Sequence, residues 1–209
     1  MYALDANAAR KADQQGSFIN ELGKYVGIFK QAEDIKASTG TRGVALTFEA
    51  NGQKANLSLY TMKSNGEKIM GFDALMAILT CLGLRNIAPV PGTVTRWDAE
   101  AKKEVAQPGS VFPELCNKPI GLLLETEDYT SNAGESKTRM VLKAVFQAKT
   151  ELTASEILDR KTTPEQLPRL VAGLRHRPAK AARGVAAPTQ SKPATAGSGF
   201  DDMDDDIPF

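Results

Sequence analysis

The residues of this chain best equipped by type and spacing to do chemistry lie at its end. In "DDMDDDIPF" (201–209) five Asp, at 201, 202, 204, 205 and 206, precede Ile207, Pro208 and Phe209. Carboxylates this close repel one another and favour an extended, hydrated segment, while Ile207 and Phe209 have no neighbouring apolar sequence to bury against. An anionic leash with an apolar end suits docking into a foreign pocket with a basic rim. Burying one Phe side chain contributes roughly 1.5–3 kcal/mol, and carboxylate–Arg hydrogen bonds add to it. A tail serving solubility alone has no use for a terminal Ile-Pro-Phe. Catalysis has little support. The single His, His176, sits in a basic "RHR" run, and the sequence holds no Walker loop or nucleophile elbow. Cys81 and Cys116 form no CxxC, so no zinc site is expected. Glu125, Glu127 and Asp128 read as an exposed strand end rather than as metal ligands. Neither an enzyme nor a cofactor is expected.

Charge is segregated along the chain although its formal total is only +1. Residues 1–159 carry 18 Lys/Arg and 19 Asp/Glu, residues 160–199 carry 8 Lys/Arg against Glu165 alone, and the last ten carry 5 Asp and no base. Such segregation says more about partners than the total does. The first residues lack the apolar core of a signal peptide, and no run approaches the roughly 18 apolar residues of a membrane span. No membrane partner is expected, and a reducing cytoplasm is the expected location.

The elements that must position any binding residues read mostly as strands. "GKYVGIFKQAEDIKA" (23–37) is extended, with Tyr25 and Phe29 on one face and Val26 and Ile28 on the other; the sequence leaves open which face is inside. "VALTFEA" (44–50) alternates, with Val44, Leu46 and Phe48 together. The Asn51-Gly52 step predicts a tight hairpin into "KANLSLYTMK" (54–63), where Leu57 and Leu59 oppose Asn56, Ser58 and Tyr60. "GFDALMAILTCLGL" (71–84) changes to helical spacing, with Asp73 as expected N-cap and Gly83 as stop, and Cys81 in its apolar run reads as core. An inserted hairpin or long loop over 89–109 has extended pieces near 93–98 and 103–106. Strands follow at 118–130 and 138–150, with Phe146, like Phe48, in the core. Five strands with a helix between the third and fourth fit an all-β, five-stranded OB-fold barrel with an inserted hairpin, closed so as to hide its edges.

Two short helices are expected after the barrel. Thr153 and Glu156 form a capping-box pattern, and Thr163 with Pro164 reads as the start of a helix over 163–174. The expected organisation is an N-terminal extension (1–20), the OB domain (21–152), a helical extension (153–174), a basic disordered linker (175–200) and the acidic tip (201–209).

With tip, linker and body in place, a family resemblance emerges. The end "DDDIPF" (204–209) resembles the C-terminal tip of bacterial single-stranded DNA-binding proteins, in which an OB domain and a disordered linker precede an acidic tip ending in Asp-Ile-Pro-Phe. The insertion at 89–109 and the basic linker depart from the bacterial plan, and the body is more similar to single-stranded DNA-binding proteins of bacteriophages. The resemblance implies that Phe209 fills a partner's pocket with its carboxylate on an Arg or Lys. Pro208 and Ile207 would widen the apolar contact, and Asp204, Asp205 and Asp206 would lie over basic residues. The implied partners are single-stranded DNA and host or phage replication, recombination and repair proteins. A homo-oligomer is also implied, because the bacterial proteins assemble from several OB folds. The tip could also fold back on the basic segment or the groove until DNA displaces it.

A nonspecific single-strand binder needs a basic groove and aromatic faces on which bases stack. In an OB barrel the groove crosses strands 2 and 3 between two loops. The first loop here holds Lys36 and Arg42, and the second leads into Lys137 and Arg139. Tyr60, on the polar face of its strand, is the leading stacking candidate; the alternative is a partly buried packing residue. Arg96 and Trp97, with Lys102 and Lys103 across the turn, form a second cluster, unless Trp97 staples the hairpin to the barrel. Tyr25 and Phe29 complete the candidates, while Lys63 and Lys68 read as solvated surface lysines. The expected function is single-stranded DNA binding with recruitment through the tip. The alternatives are an OB-type recombination mediator or strand-annealing protein and, more distantly, a protein-only OB adaptor.

Overall fold

Strand β1 (Gly23–Lys36) hydrogen-bonds to three other strands, and the rest of the fold is arranged around it. The structure, a computed structural model, describes residues 18–98, 103–131 and 134–179. After β1 come β2 (Arg42–Ala50), β3 (Gln53–Met62), helix α1 (Met70–Leu82), β4 (Val90–Asp98) and β5 (Lys103–Val111). A 3-10 turn (Pro113–Leu115), β6 (Pro119–Thr130), β7 (Ser136–Phe146), α2 (Ala154–Leu158) and α3 (Gln166–Ala172) complete the order. The described residues are thus mostly antiparallel β-sheet with three short helices, every ladder between named strands being antiparallel. No helix among them is long and apolar enough to cross a membrane.

The start of β1, Gly23–Ile28, pairs with β6, and Ile28–Lys36 pairs with β2. At the changeover a Cβ on Gly27 would lie 2.0 Å from the Glu49 carbonyl oxygen, so only glycine lets the two backbones approach there. A bulge follows between Phe29 and Gln31. The β2–β3 hairpin is closed by Asn51 (φ 52°) and Gly52 (φ 77°), both left-handed as a two-residue primed turn requires, with Ala50 opposite Gln53.

The alternation in β2 and β3 places Val44, Leu46, Phe48, Leu57 and Leu59 in one core. Phe29 and Phe48 meet there edge to face at 5.8 Å. Helix α1 adds Leu75, Ile78, Leu79 and Cys81, whose thiol burial pushes up to about 12. Gly83 ends α1 in the left-handed conformation, with the Leu84 N–H donating to Leu79 (2.8 Å). Ile69, not Asp73, is the N-cap; Asp73 lies in the first turn, where its charge suits the helix dipole. Strand β6 is buried on both faces from Ile120 to Thr126, because α3 brings Leu167 against Leu123 and Phe146 on the side away from the main core.

Two further expectations need correction. Helix α3 starts at Gln166 rather than at 164, because the Glu156 carboxylate captures the N–H groups of Glu165 (2.7 Å) and Gln166 (2.8 Å). Glu156 also accepts from the Thr153 N–H (2.9 Å), completing the expected capping box of α2. The segment from 175 does not leave the body at once. The Arg177 N–H donates to the Thr126 carbonyl, and the Asp128 N–H to the Arg177 carbonyl, along the part of β6 that runs past the start of β1.

Burial pushes the Glu156 carboxyl up, but hydrogen bonds from the Thr153, Gln166 and Glu165 backbone outweigh it and hold it down to about 2. Its stabilisation is therefore fully present above the ordinary value of 4.5 and is lost as pH falls towards 2. Glu156→Gln, which brings amide donors to a site already full of N–H groups, should cost roughly 1–3 kcal/mol at neutral pH. Urea unfolding should show the gap to wild type closing across that acid window; a gap independent of pH would contradict the assignment.

Candidate nucleic-acid interface

Residues directly opposite in an antiparallel pair project to the same side. Because Leu46 and Phe48 point inward, Ala45 and Thr47 point outward, together with their partners Glu33 and Gln31 on β1 and Ser58 and Asn56 on β3. The outer face of β1–β2–β3 is thus a strip of small and polar side chains, with the Thr47 hydroxyl 3.3 Å from Asn56 Oδ1. Tyr60 is half-buried on the same face, opposite Gly43, which puts no side chain beside the ring.

The β4–β5 hairpin is rooted beside β1, where Glu33 pairs with Val111, and reaches across this strip. The Thr95 N–H donates to Gln31 Oε1 (2.7 Å), and Arg96 forms an ion pair with Glu33, whose carboxylate is nearly buried beneath it. Nearer the hairpin tip, Glu104 meets Lys54 of β3 at 3.6 Å. Trp97 is directly opposite Glu104 and shares its side of the ribbon, yet the indole remains 62 % exposed. Trp97 does not staple the hairpin down; the polar ties to Gln31, Glu33 and Lys54 do. Lys103 is exposed opposite Asp98, and Lys102 lies outside the described residues.

At the other end of the strip, Lys36 and Arg42 border an open concavity of about 290 Å³ that also takes in Lys63. The second expected loop cluster is not beside it. Gly23 pairs with Leu124, so β6 residues 125–130 run past the start of β1, and the β6–β7 turn lies off the end of β1 opposite to Lys36. There the charges neutralise one another. Lys137 pairs with Glu135 (3.0 Å), whose hydrogen bond and charge raise the ammonium's pKa. Arg139 holds Glu127 (2.9 Å) and stacks its guanidinium 5.2 Å over Tyr129. The three acids read as an exposed strand end are all engaged. Glu125 is fully buried against Arg177 (2.6 Å), and Glu127 is held by Arg139. Asp128 accepts from Thr138 (2.6 Å) and from His176 Nε2 (2.8 Å) and is held below its ordinary range by those bonds. Among the described residues no group of three or more His, Cys, Asp or Glu could hold a metal.

The face of β1 left open by its sequence is decided by the core. Phe29 is fully buried, so it leaves the list of stacking residues. Tyr25 packs on the same core with its hydroxyl donating to the Glu21 carbonyl (2.8 Å), and burial, then the Glu21 charge, raise its pKa. Tyr60 and Trp97 remain the aromatic candidates. Sequence reading missed Gln31 and Glu33 as anchors of the hairpin, because unbroken alternation from Phe29 would have put them inside, and only the bulge at Phe29–Gln31 turns them outward. It also set Lys63 aside. The tip residues Asp204–Asp206, Ile207, Pro208 and Phe209 lie outside the described residues. The sequence matches no protein-family model and no curated protein.

The two aromatic environments make opposite demands on stability. Trp97→Ala, which removes an exposed side chain, should stay within about 0.5 kcal/mol of wild type in urea unfolding. Phe29→Ala should cost roughly 3–5 kcal/mol. A large loss for Trp97→Ala would show that the indole is a packing residue after all.

Proposed function

We propose that this chain binds single-stranded DNA along the outer face of β1–β2–β3, and that its acidic C-terminal tip recruits replication, recombination or repair proteins. The observation that carries the reading is a polar strip with Tyr60 on it, bounded by Arg96 and Trp97 at one end and a cation-lined concavity at the other. Such a strip offers π-faces that any base can use and positive charge for the backbone, without hydrogen-bond groups arranged to read one sequence. The body is proposed to be an OB-type fold. Support comes from β1 pairing with both β2 and β6, from α1 falling between β3 and the last strand pair, and from β3 and β7 approaching one another. The hairpin β4–β5 would then be an insertion that walls the groove. The tip reading rests on "DDDIPF" (204–209) and its likeness to bacterial single-stranded DNA-binding proteins.

Parallel titrations of oligo-dT and duplex DNA at several salt concentrations test the binding reading. Wild type should prefer the single strand, and Tyr60→Ala and Trp97→Ala should each weaken binding by about 1–3 kcal/mol. Equal affinity for duplex and single strand at modest salt would overturn it. Deleting 201–209 should preserve binding to DNA and abolish capture of DNA-repair and replication enzymes from a bacterial lysate; unchanged capture would remove the recruiting role.

A further inference from the structure

Four sets of cations were candidates for phosphate binding in the described body, and their immediate surroundings separate them. At the β6–β7 end, Lys137 and Arg139 each face a carboxylate of their own, while Arg177 and Lys143 lie 2.6 and 3.8 Å from the buried Glu125. Arg96 is committed to Glu33. Lys118 and Lys149 border a second concavity, also of about 290 Å³, but it lies beside α1 and the start of β6, away from the aromatic strip. The remaining set is different. Lys36, Arg42 and Lys63 line one concavity, and Lys68, paired across from Met62, stands beside it with its ammonium 4.2 Å from the Phe72 ring. Against these four cations stand two acids, Asp34 at 3.6 Å from Arg42 and Glu67 at 3.2 Å from Lys63. Lys36 has no ion pair among the described residues.

The walls suit a compact anion. Gly40 (φ 85°) and Gly66 (φ 87°) turn the chain on either side, and no atom lies within 4 Å of where a Cβ on Gly66 would be. Ser64 contributes a hydroxyl to the lining. The site is contiguous with the strip, because Arg42 pairs with Met62 and Gly43 with Tyr60. We infer that this concavity is a phosphate subsite. It seats backbone phosphate of a nucleic-acid strand whose neighbouring base lies on Tyr60, with Lys36 and Lys63 as its principal cations. The inference deepens the proposed function and rests on it for the identity of the strand; the phosphate chemistry stands on the concavity alone.

Two measurements test it. In salt titrations with oligo-dT, Lys36→Gln/Lys63→Gln should lower the slope of log K against log salt by roughly 1.4, two contacts at about 0.7 each for a single strand. Lys24→Gln/Lys161→Gln removes the same charge from lysines paired with Glu151 and Glu165, away from the strip, and should leave the slope unchanged. Equal losses in both double variants, or a loss in neither, would overturn the subsite while leaving single-strand binding intact. Independently, titration with thymidine 3′,5′-bisphosphate should shift the backbone amide resonances of Gly40, Ser64 and Gly66 saturably in wild type and not in Lys36→Gln/Lys63→Gln. Saturable shifts in a protein that ignores oligo-dT would keep the anion site and discard the DNA reading. Absence of shifts would discard the site itself.

Discussion

Where β1 leaves β6 and joins β2, the Glu49 carbonyl oxygen occupies the space that a Cβ on residue 27 would need. That close backbone contact, followed by the bulge at Phe29–Gln31, lets one strand satisfy partners on both sides without an unpaired stretch. It also resets which side chains face inward. Phe29 goes to the core against Phe48, whereas Gln31 and Glu33 go to the outer face. The hairpin is tied to those two residues. The wall of the proposed groove therefore depends on a bend in a strand that contributes none of the proposed stacking residues.

Electrostatics in the body is local. With acids and bases almost equal over residues 1–159, the net charge offers little attraction for a polyanion. The ion pairs divide the surface unevenly. Around β6 and β7, Glu125 and Glu127 are each paired with an arginine, and Asp128 is hydrogen-bonded to Thr138 and His176. The solvent-exposed pairs among these contribute little to stability. Their consequence is to cancel the arginine charges there, leaving an excess of cations beside the β1–β2 turn and the end of β3, where Lys36, Arg42, Lys63 and Lys68 face only Asp34 and Glu67.

A single buried carboxylate organises the chain after the sheet. Glu156 accepts from the starts of both α2 and α3, so two helices too short to be stable by themselves share one anchor. Once α3 is in place, Leu167 covers Leu123 and Phe146. This explains why "GLLLE" (121–125) carries no alternation: both faces of β6 are inside. The His176–Arg177 segment then covers part of the β6 edge that β1 leaves unpaired.

Local chemistry made much of this legible in the sequence. Alternation at Val44, Leu46 and Phe48, the Asn51-Gly52 turn, the helical spacing of Leu75, Ile78 and Leu79 and the Thr153–Glu156 box each depend on neighbours within a few residues. Tyr60 on the polar side of β3 was visible for the same reason. What depended on distant partners was not. The inward face of β1, the capture of the α3 start by Glu156, the docking of Arg177 on Glu125 and the grouping of Lys63 with Lys36 and Arg42 are contacts between segments far apart in the chain. The sequence by itself determined the strands and the turns, because backbone geometry and side-chain alternation act over short range. The tertiary structure alone decided which cations are neutralised and which stand together, because an ion pair depends on distance in space and not on position in the chain.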